Sequence, residues 1–300
     1  MRKTPILIIF SLLLGFNAAA QTDMEISGTM EWDNMTVKAE VSLDLVSAGL
    51  KLPAGRTQAE ATLKQGYQEL IIPALLSLQV DSSSTIADLI ERGELTLSEI
   101  ESIAARGSSV APSLSNDLRR ITESHSISFT AITSVLLKHS RASPIIRTLN
   151  PISAARYTGI IIIAVDPLPV HGMRSSGFAV PCLFPKIWDS QMNLIYERSM
   201  LDTSLINSSM MVKYTSAKNI FQNNPSGLSA ELQKITGDRP LRIYARGVFG
   251  IKPADLIIDR SDALLIISSE DNRRLLSQGK VVFVLDESML RSDFNADERF

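Results

Sequence analysis

The 300-residue chain has one cysteine, three histidines, two tryptophans and 6% aromatic residues. A single thiol, Cys182, excludes an intramolecular disulfide, so stability has to come from a hydrophobic core, which this length permits. The histidines His125, His139 and His171 are scattered, and no Gly-x-Ser-x-Gly elbow offers a serine nucleophile. No block of Lys and Arg supplies the footprint that nucleic acid needs. Acidic and basic residues nearly balance, 32 against 30, for a net charge of −2. Beyond the first 20 residues no apolar run approaches the roughly 20 residues of a spanning helix.

What is present begins with an export signal. Arg2 and Lys3 precede an apolar run from Pro5 to Phe16, and Ala18-Ala19-Ala20 supplies small residues for cleavage after Ala20. No Cys stands at that point to carry a lipid, so the expectation is a periplasmic protein with neither lipid anchor nor transmembrane segment.

Residues 24–45 carry two alternating runs separated by Asp33-Asn34. A two-residue loop there sets Trp32 opposite Met35, Met30 opposite Val37 and Ile26 opposite Val41, all on one face. Ala59, Leu63, Tyr67, Leu70, Ala74 and Leu78 recur at helical spacing, with Pro73 expected to bend the helix. A Ser-rich turn then leads to a short helix closed by Gly93, and Thr96 with Glu99 forms a capping box for another, ended by Gly107. Alternation from Ile127 through Leu137 predicts one long strand over 124–139. This half, residues 21–140, is expected as α+β: an antiparallel sheet with helices on one face.

Residues 141–157 read as a linker. From 158 to 286 a second, α/β module is expected. The apolar strand 159–166 is central, 184–188 and 194–197 form a hairpin, and 241–246, 255–268 and 280–286 supply further strands. Ser226 is expected to cap a helix over 228–235, and Ser269 another with Glu270 and Asp271 in its first turn. In the hairpin Trp188 faces Leu194 and Ile187 faces Ile195, and Pro185 requires an edge strand or a strand start. Residues 287–300 read as a mobile charged tail.

Several short motifs carry a family resemblance. The helix from Ala59 running into 81-DSSSTIADL-89 resembles the exported bacterial lipoprotein-20 family and its flagellar relative FlgP. The strand 158-TGIIIIAVD-166, the hairpin Pro185–Tyr196, 242-RIYA-245 and 267-ISSED-271 are similar to the companion module of longer members. The resemblance implies a non-enzymatic, self-associating envelope protein near the flagellar basal body. The family's anchoring Cys is missing, Asp166-Pro-Leu-Pro replaces an Asp-Ala-Arg-Gly loop, and Met192 stands where a turn glycine is common.

The chemistry-bearing residues point the same way. Cys182 lies among apolar neighbours with no base or cation to activate it. The acids Asp255, Asp259, Asp262, Glu270 and Asp271 lack the spacing of an EF-hand loop and read as turn residues and a helix start. No catalytic set, cofactor site or metal site is expected. Trp188, Ile187, Leu194, Tyr196 and Trp32 are the candidate interface, since large rigid aromatics favour protein contacts. The expected function is structural, with a homo-oligomer or docking to basal-body or envelope proteins. The alternative is a soluble ligand- or cell-wall-binding module using the loop with Asp166 and His171, beyond the carboxyl ends of the strands.

Overall fold

The computed structural model describes residues 24–206 and 210–295; the expected leader, residues 1–20, and residues 296–300 of the expected tail lie outside them. The first module runs β1 (Met24–Glu31), β2 (Thr36–Asp44), α1 (Arg56–Leu76), α2 (Ile86–Glu91), α3 (Leu97–Ala105), β3 (Ser108–Ser109), β4 (Ser113–Leu114), β5 (Arg120–Ser128) and α4 (Phe129–Leu136). The second runs β6 (Ile160–Ala164), β7 (Leu168–Pro169), β8 (Ser176–Gly177), β9 (Ile187–Asp189), β10 (Leu194–Tyr196), β11 (Lys213–Ser216), α5 (Ala230–Thr236), β12 (Leu241–Tyr244), β13 (Gly247–Phe249), β14 (Asp255–Ile258), α6 (Arg260–Ile267), α7 (Glu270–Ser277) and β15 (Val281–Leu285). A last strand, β16 (Arg291–Asn295), returns to the first module. The fold is α+β, an antiparallel sheet with helices followed by an α/β region.

The first sheet is antiparallel, in the order β16-β1-β2-β5-β3, with β4 also on β5. Its β1–β2 register puts Ile26 opposite Val41 and Met30 opposite Val37, as alternation predicts. In the turn it is Met35, at φ 56°, that takes the left-handed conformation. Helix α1 buries Ala59, Leu63, Gly66, Tyr67, Ile71, Ala74 and Leu75 against this sheet. Pro73 lies inside the helix on its exposed side, where its missing donor is tolerated. Thr85 with Asp88, and Thr96 with Glu99, close reciprocal capping boxes on α2 and α3.

The long strand expected over 124–139 is half strand and half helix. Strand β5 stops at Ser128, whose side chain accepts from the Thr130 amide and starts α4. Beyond it Phe129, Ile132 and Thr133 are buried at helical spacing, so the apparent alternation to Leu137 was a coincidence of composition.

The second module holds an all-parallel sheet in the order β11-β15-β6-β12. Strand β6 is buried on both faces. Ile160, Ile162 and Ala164 join the main core, which also contains Trp32, Leu63 and Phe129 of the first module. Ile161 and Ile163 join a smaller cluster with Val282, Val284, Leu228 and Leu232. A mixed sheet, β10-β9-β14-β13, stands beside it. Three local expectations change here. Residues 260–267, expected as strand, form α6, and α5 is capped by Ser229 instead of Ser226. In the β9–β10 hairpin Trp188 faces Leu194, but a register shift puts Tyr196, not Ile195, opposite Ile187. Strand β9 is flanked on both sides, so Pro185 precedes an internal strand.

Residues 141–157 have no regular structure but are tied to the second module. Ser143 N donates to Ser199 O (2.7 Å), Tyr157 N to Asn272 Oδ1 (3.1 Å), and Asn272 Nδ2 to Ala155 O (2.9 Å).

The expected mobile tail is corrected most. Residues 291–295 pair with β1, Arg291 opposite Glu31 and Asn295 opposite Ser27. Phe294 is buried over Gly28, where an added Cβ would lie 2.3 Å from both the Phe294 ring and the Lys38 carbonyl. Only glycine fits between two strands and that ring. Phe294→Ala should lower stability by about 3 kcal/mol in urea unfolding. Hydrogen exchange should speed first at the β1 amides; unchanged protection of Ser27–Glu31 would show that the ring does not hold β16 in place.

Candidate functional site: the seam between the modules

Two of the most distinctive stretches of the sequence, 79-QVDSSST-85 and 181-PCLFPKIWD-189, meet here. Leu183 N donates to Gln79 O (3.0 Å) and Phe184 N to Val80 O (2.8 Å), while Lys252 N donates to Ser82 O (3.1 Å). Gly250, at φ +116°, lies so close that a Cβ would stand 2.3 Å from Ser82 Cβ. The two motifs therefore interlock through backbone.

At the centre is Asp255, wholly buried. Its Oδ1 accepts from the Lys186 amide (2.9 Å), and its Oδ2 from Trp188 Nε1 (3.1 Å) and Ser82 Oγ (3.0 Å). Burial pushes its pKa up, and the three donors offset part of that shift. Ser82 comes from the first module and the other two donors from the second, so one carboxylate ties the two together.

Cys182 is fully buried, and its backbone N–H and C=O both bond the Tyr214 hydroxyl (3.1 and 2.8 Å). Burial pushes the thiol well above its usual range, with the nearby Asp255 charge adding to the shift. Tyr214 packs edge-to-face on Trp32, which packs likewise on Phe129. Lys213 Nζ completes this side by donating to Asp33 O (2.6 Å).

The five candidate interface residues divide accordingly. Trp32, Ile187 and Tyr196 are buried in the core, so they hold the fold and are not displayed. Trp188 and Leu194 are half-buried. Trp188 spends its indole N–H on Asp255 and its ring on Phe249, at 5.9 Å between centroids. The hairpin loop below is held by Asp189, buried, which accepts from Gln191, Asn193 and Arg260. Burial raises its pKa, but the bonds from Asn193 and Arg260 outweigh that and hold it below the ordinary range.

Asp166 and His171 do not form a site together. His171 is exposed beside Phe249, and among the described residues no hydrogen bond joins it to Asp166 or to a serine. His139 Nε2 sits 3.0 Å from Leu201 O, bridging the segment after α4 to the second module. The acids are dispersed among ion pairs, Asp259 with Arg246, Glu270 with Arg274 and Asp271 with Arg156.

His125 is buried on the inner face of β5, stacked on Tyr67 with 3.6 Å between ring centroids. Its Nε2 lies 3.6 Å from Glu123 Oε2, too far for a hydrogen bond, and has no other partner among the described residues. Burial lowers its pKa below 6.5, opposed by the Glu123 charge.

Beside the seam lies a groove of about 590 Å³. Met30, Trp32 and Phe294 form the first-module wall; Pro181, Ile251 and Met289 form the other. Sequence reasoning missed it, because it is assembled from β1, β16 and the loops at 180–181 and 251–253. The seam itself left one local signal in the sequence, an acid, Asp255, opening an otherwise apolar strand.

Two outcomes follow. Asp255→Ala leaves three donors facing a void, each worth roughly 1–3 kcal/mol when unpaired. Urea unfolding should therefore register a loss above about 3 kcal/mol, with a smaller loss for Asp255→Asn; equal, small losses would remove Asp255 from its central place. His125, with its folded pKa lowered, gives stability that is present above pH 6.5 and lost as pH falls through the folded value. Asp255, with its pKa raised, acts in the opposite sense at lower pH. His125→Gln should flatten the decline below pH 6.5 in thermal melts, and an unchanged slope would assign that decline elsewhere.

Residues 23–135 match the family model of the Treponema pallidum Tp0624 N-terminal domain, and residues 159–287 match that of the Tp0624 second domain. No curated protein matches the chain. Neither match is to the lipoprotein-20/FlgP family that the motifs resemble. The two matches, in that order, support a two-module family, and the chain is similar to Tp0624 in both modules.

Proposed function

We propose that the protein acts by assembly in the bacterial cell envelope and not by catalysis: an exported, periplasmic protein that self-associates or docks to envelope components. The observation that carries the reading is where the reactive side chains go. Cys182, Asp255, Asp189 and Tyr214 are all buried and engaged with backbone or with neighbouring side chains, and each secures a loop or strand. Side chains used in this way serve shape. Among the described residues no helix is long and apolar enough to cross a membrane.

The resemblance of 81-DSSSTIADL-89 and the Trp188 hairpin to the lipoprotein-20/FlgP family supports a place near the flagellar basal body. A second reading, a ligand- or cell-wall-binding module, is favoured by the seam groove, since ligand sites gather at domain interfaces. Light scattering on the chain without its first 20 residues, alone and with basal-body and cell-wall fractions, tests both. Assembly predicts a mass above the monomer or a stable protein complex. A monomer that binds no envelope protein defeats it, and binding to cell-wall fragments alone would establish the second reading instead.

A further inference from the structure

Strand β12 (Leu241–Tyr244) ends the parallel sheet on one side, with β6 next to it and no strand beyond. In a parallel ladder alternate residues turn both backbone groups to the neighbour, and the residues between turn theirs away. Leu241 N donates to Gly159 O and Ala245 N to Ile163 O (2.9 Å each), which sets Leu241, Ile243 and Ala245 toward β6. The N–H and C=O of Arg242 and Tyr244 therefore face outward, and among the described residues neither takes a backbone partner. Both residues are exposed, Tyr244 by 61%.

Little blunts this edge. The register with β6 runs without a bulge, and neither proline nor lysine stands within the strand. The Arg242 guanidinium is drawn away to Ile220 O (3.3 Å) and Ser226 O (2.7 Å), so it does not guard the backbone beside it. Edges elsewhere differ: β16 is mostly polar, and Val170 bridges Val248 beside β13.

Charge selects what pairs there. An antiparallel strand bonds best when its own outward residues stand opposite Arg242 and Tyr244. A second copy of β12, related by a two-fold axis, meets that condition in one register. An axis through Arg242 would set the two Arg242 side chains against each other. An axis through Tyr244 would set Arg242 against Arg246, whose N–H is already spent on Ile257 O (2.7 Å). An axis through Ile243 sets each Arg242 against Tyr244 of the other copy, and their outward backbone groups all find partners. Like charges then never stand opposite, and each tyrosine ring meets a guanidinium. Phe221, 63% exposed beside the Ile220 carbonyl that Arg242 holds, adds apolar surface at this contact.

We propose that two copies of the chain pair antiparallel along β12, about a two-fold axis through Ile243, and so join their parallel sheets into one. The inference rests on the assembly reading and specifies its surface and its first partner.

Sedimentation velocity on the chain without its first 20 residues, up to about 0.1 mM, should show a monomer–dimer equilibrium. Tyr244→Pro removes an outward N–H and should abolish the dimer. Tyr244→Glu would face Arg242 of the other copy and attract it, whereas Tyr244→Arg would repel it. The arginine variant should therefore dimerise about tenfold more weakly than the glutamate variant. Position 244 is exposed, and matching melting curves will show that the fold is intact. A photo-crosslinking benzoylphenylalanine at 244 should join to residues 240–246 of the second copy. A monomer at that concentration overturns the proposal, even where an envelope protein binds the same edge. A dimer indifferent to all three substitutions, or crosslinked elsewhere, overturns it too, but leaves the assembly reading standing on another surface. A monomer that also binds no envelope protein defeats both.

Discussion

The burial of one carboxylate, Asp255, sets the terms for the rest of the molecule. An ionised group shut away from water is tolerated only where donors surround it. Here the donors come from three separate segments, Ser82, Lys186 and Trp188. All three must arrive in place for the carboxylate to be fully satisfied. The requirement draws the loop after α1, the lead-in to β9 and the start of β14 into one point, and the backbone bonds from 183–184 to 79–80 follow from that approach. Such a group dictates which segments meet, whereas an apolar residue of similar size would only fill the space.

The two modules are consequently distinct in topology but continuous in packing. Antiparallel and parallel sheets remain separate, yet Trp32, Tyr214 and Phe283 form an edge-to-face series from one into the other. The chain also crosses back: after β15, a central strand of the second module, it supplies β16 to the edge of the first. With four of its five residues exposed and polar or charged, β16 covers the β1 edge without offering an attractive edge of its own. The small size of Gly28 and the large ring of Phe294 are two halves of one contact 266 positions apart in the chain.

What could be read from the sequence was whatever depended on neighbours in the chain. The β1–β2 register followed from alternation, the capping box at Thr96 from a side chain three residues on, and two-sided burial of β6 from its run of isoleucines. Misreadings came where two local codes overlapped. From Ile127 to Leu137 apolar residues fall at both strand and helix spacing, and the hydroxyl of Ser128 decides where one gives way to the other. Residues 291–295 looked like tail because they are mostly polar, and the single apolar residue that matters there finds its partner only in the fold. Asp255 was legible as an acid and illegible as a hub, since its donors are distributed across the chain. The same holds for the groove, which exists only after both modules have closed on each other.

That dependence has a thermodynamic consequence. One wall of the groove draws on β1 and β16, while Ile251 and the Lys252 cation on the other side belong to the loop that Gly250 brings against Ser82. Anything seated there touches both modules and finds its full set of contacts only when the seam is closed. A ligand that binds the closed form and not the open one stabilises closure in proportion to its occupancy. For such a ligand the coupling is reciprocal: a change that opens the seam weakens its binding, and its binding favours the closed seam. The groove and the contacts that hold the modules together are thus one piece of structure, with residues of both modules in its lining.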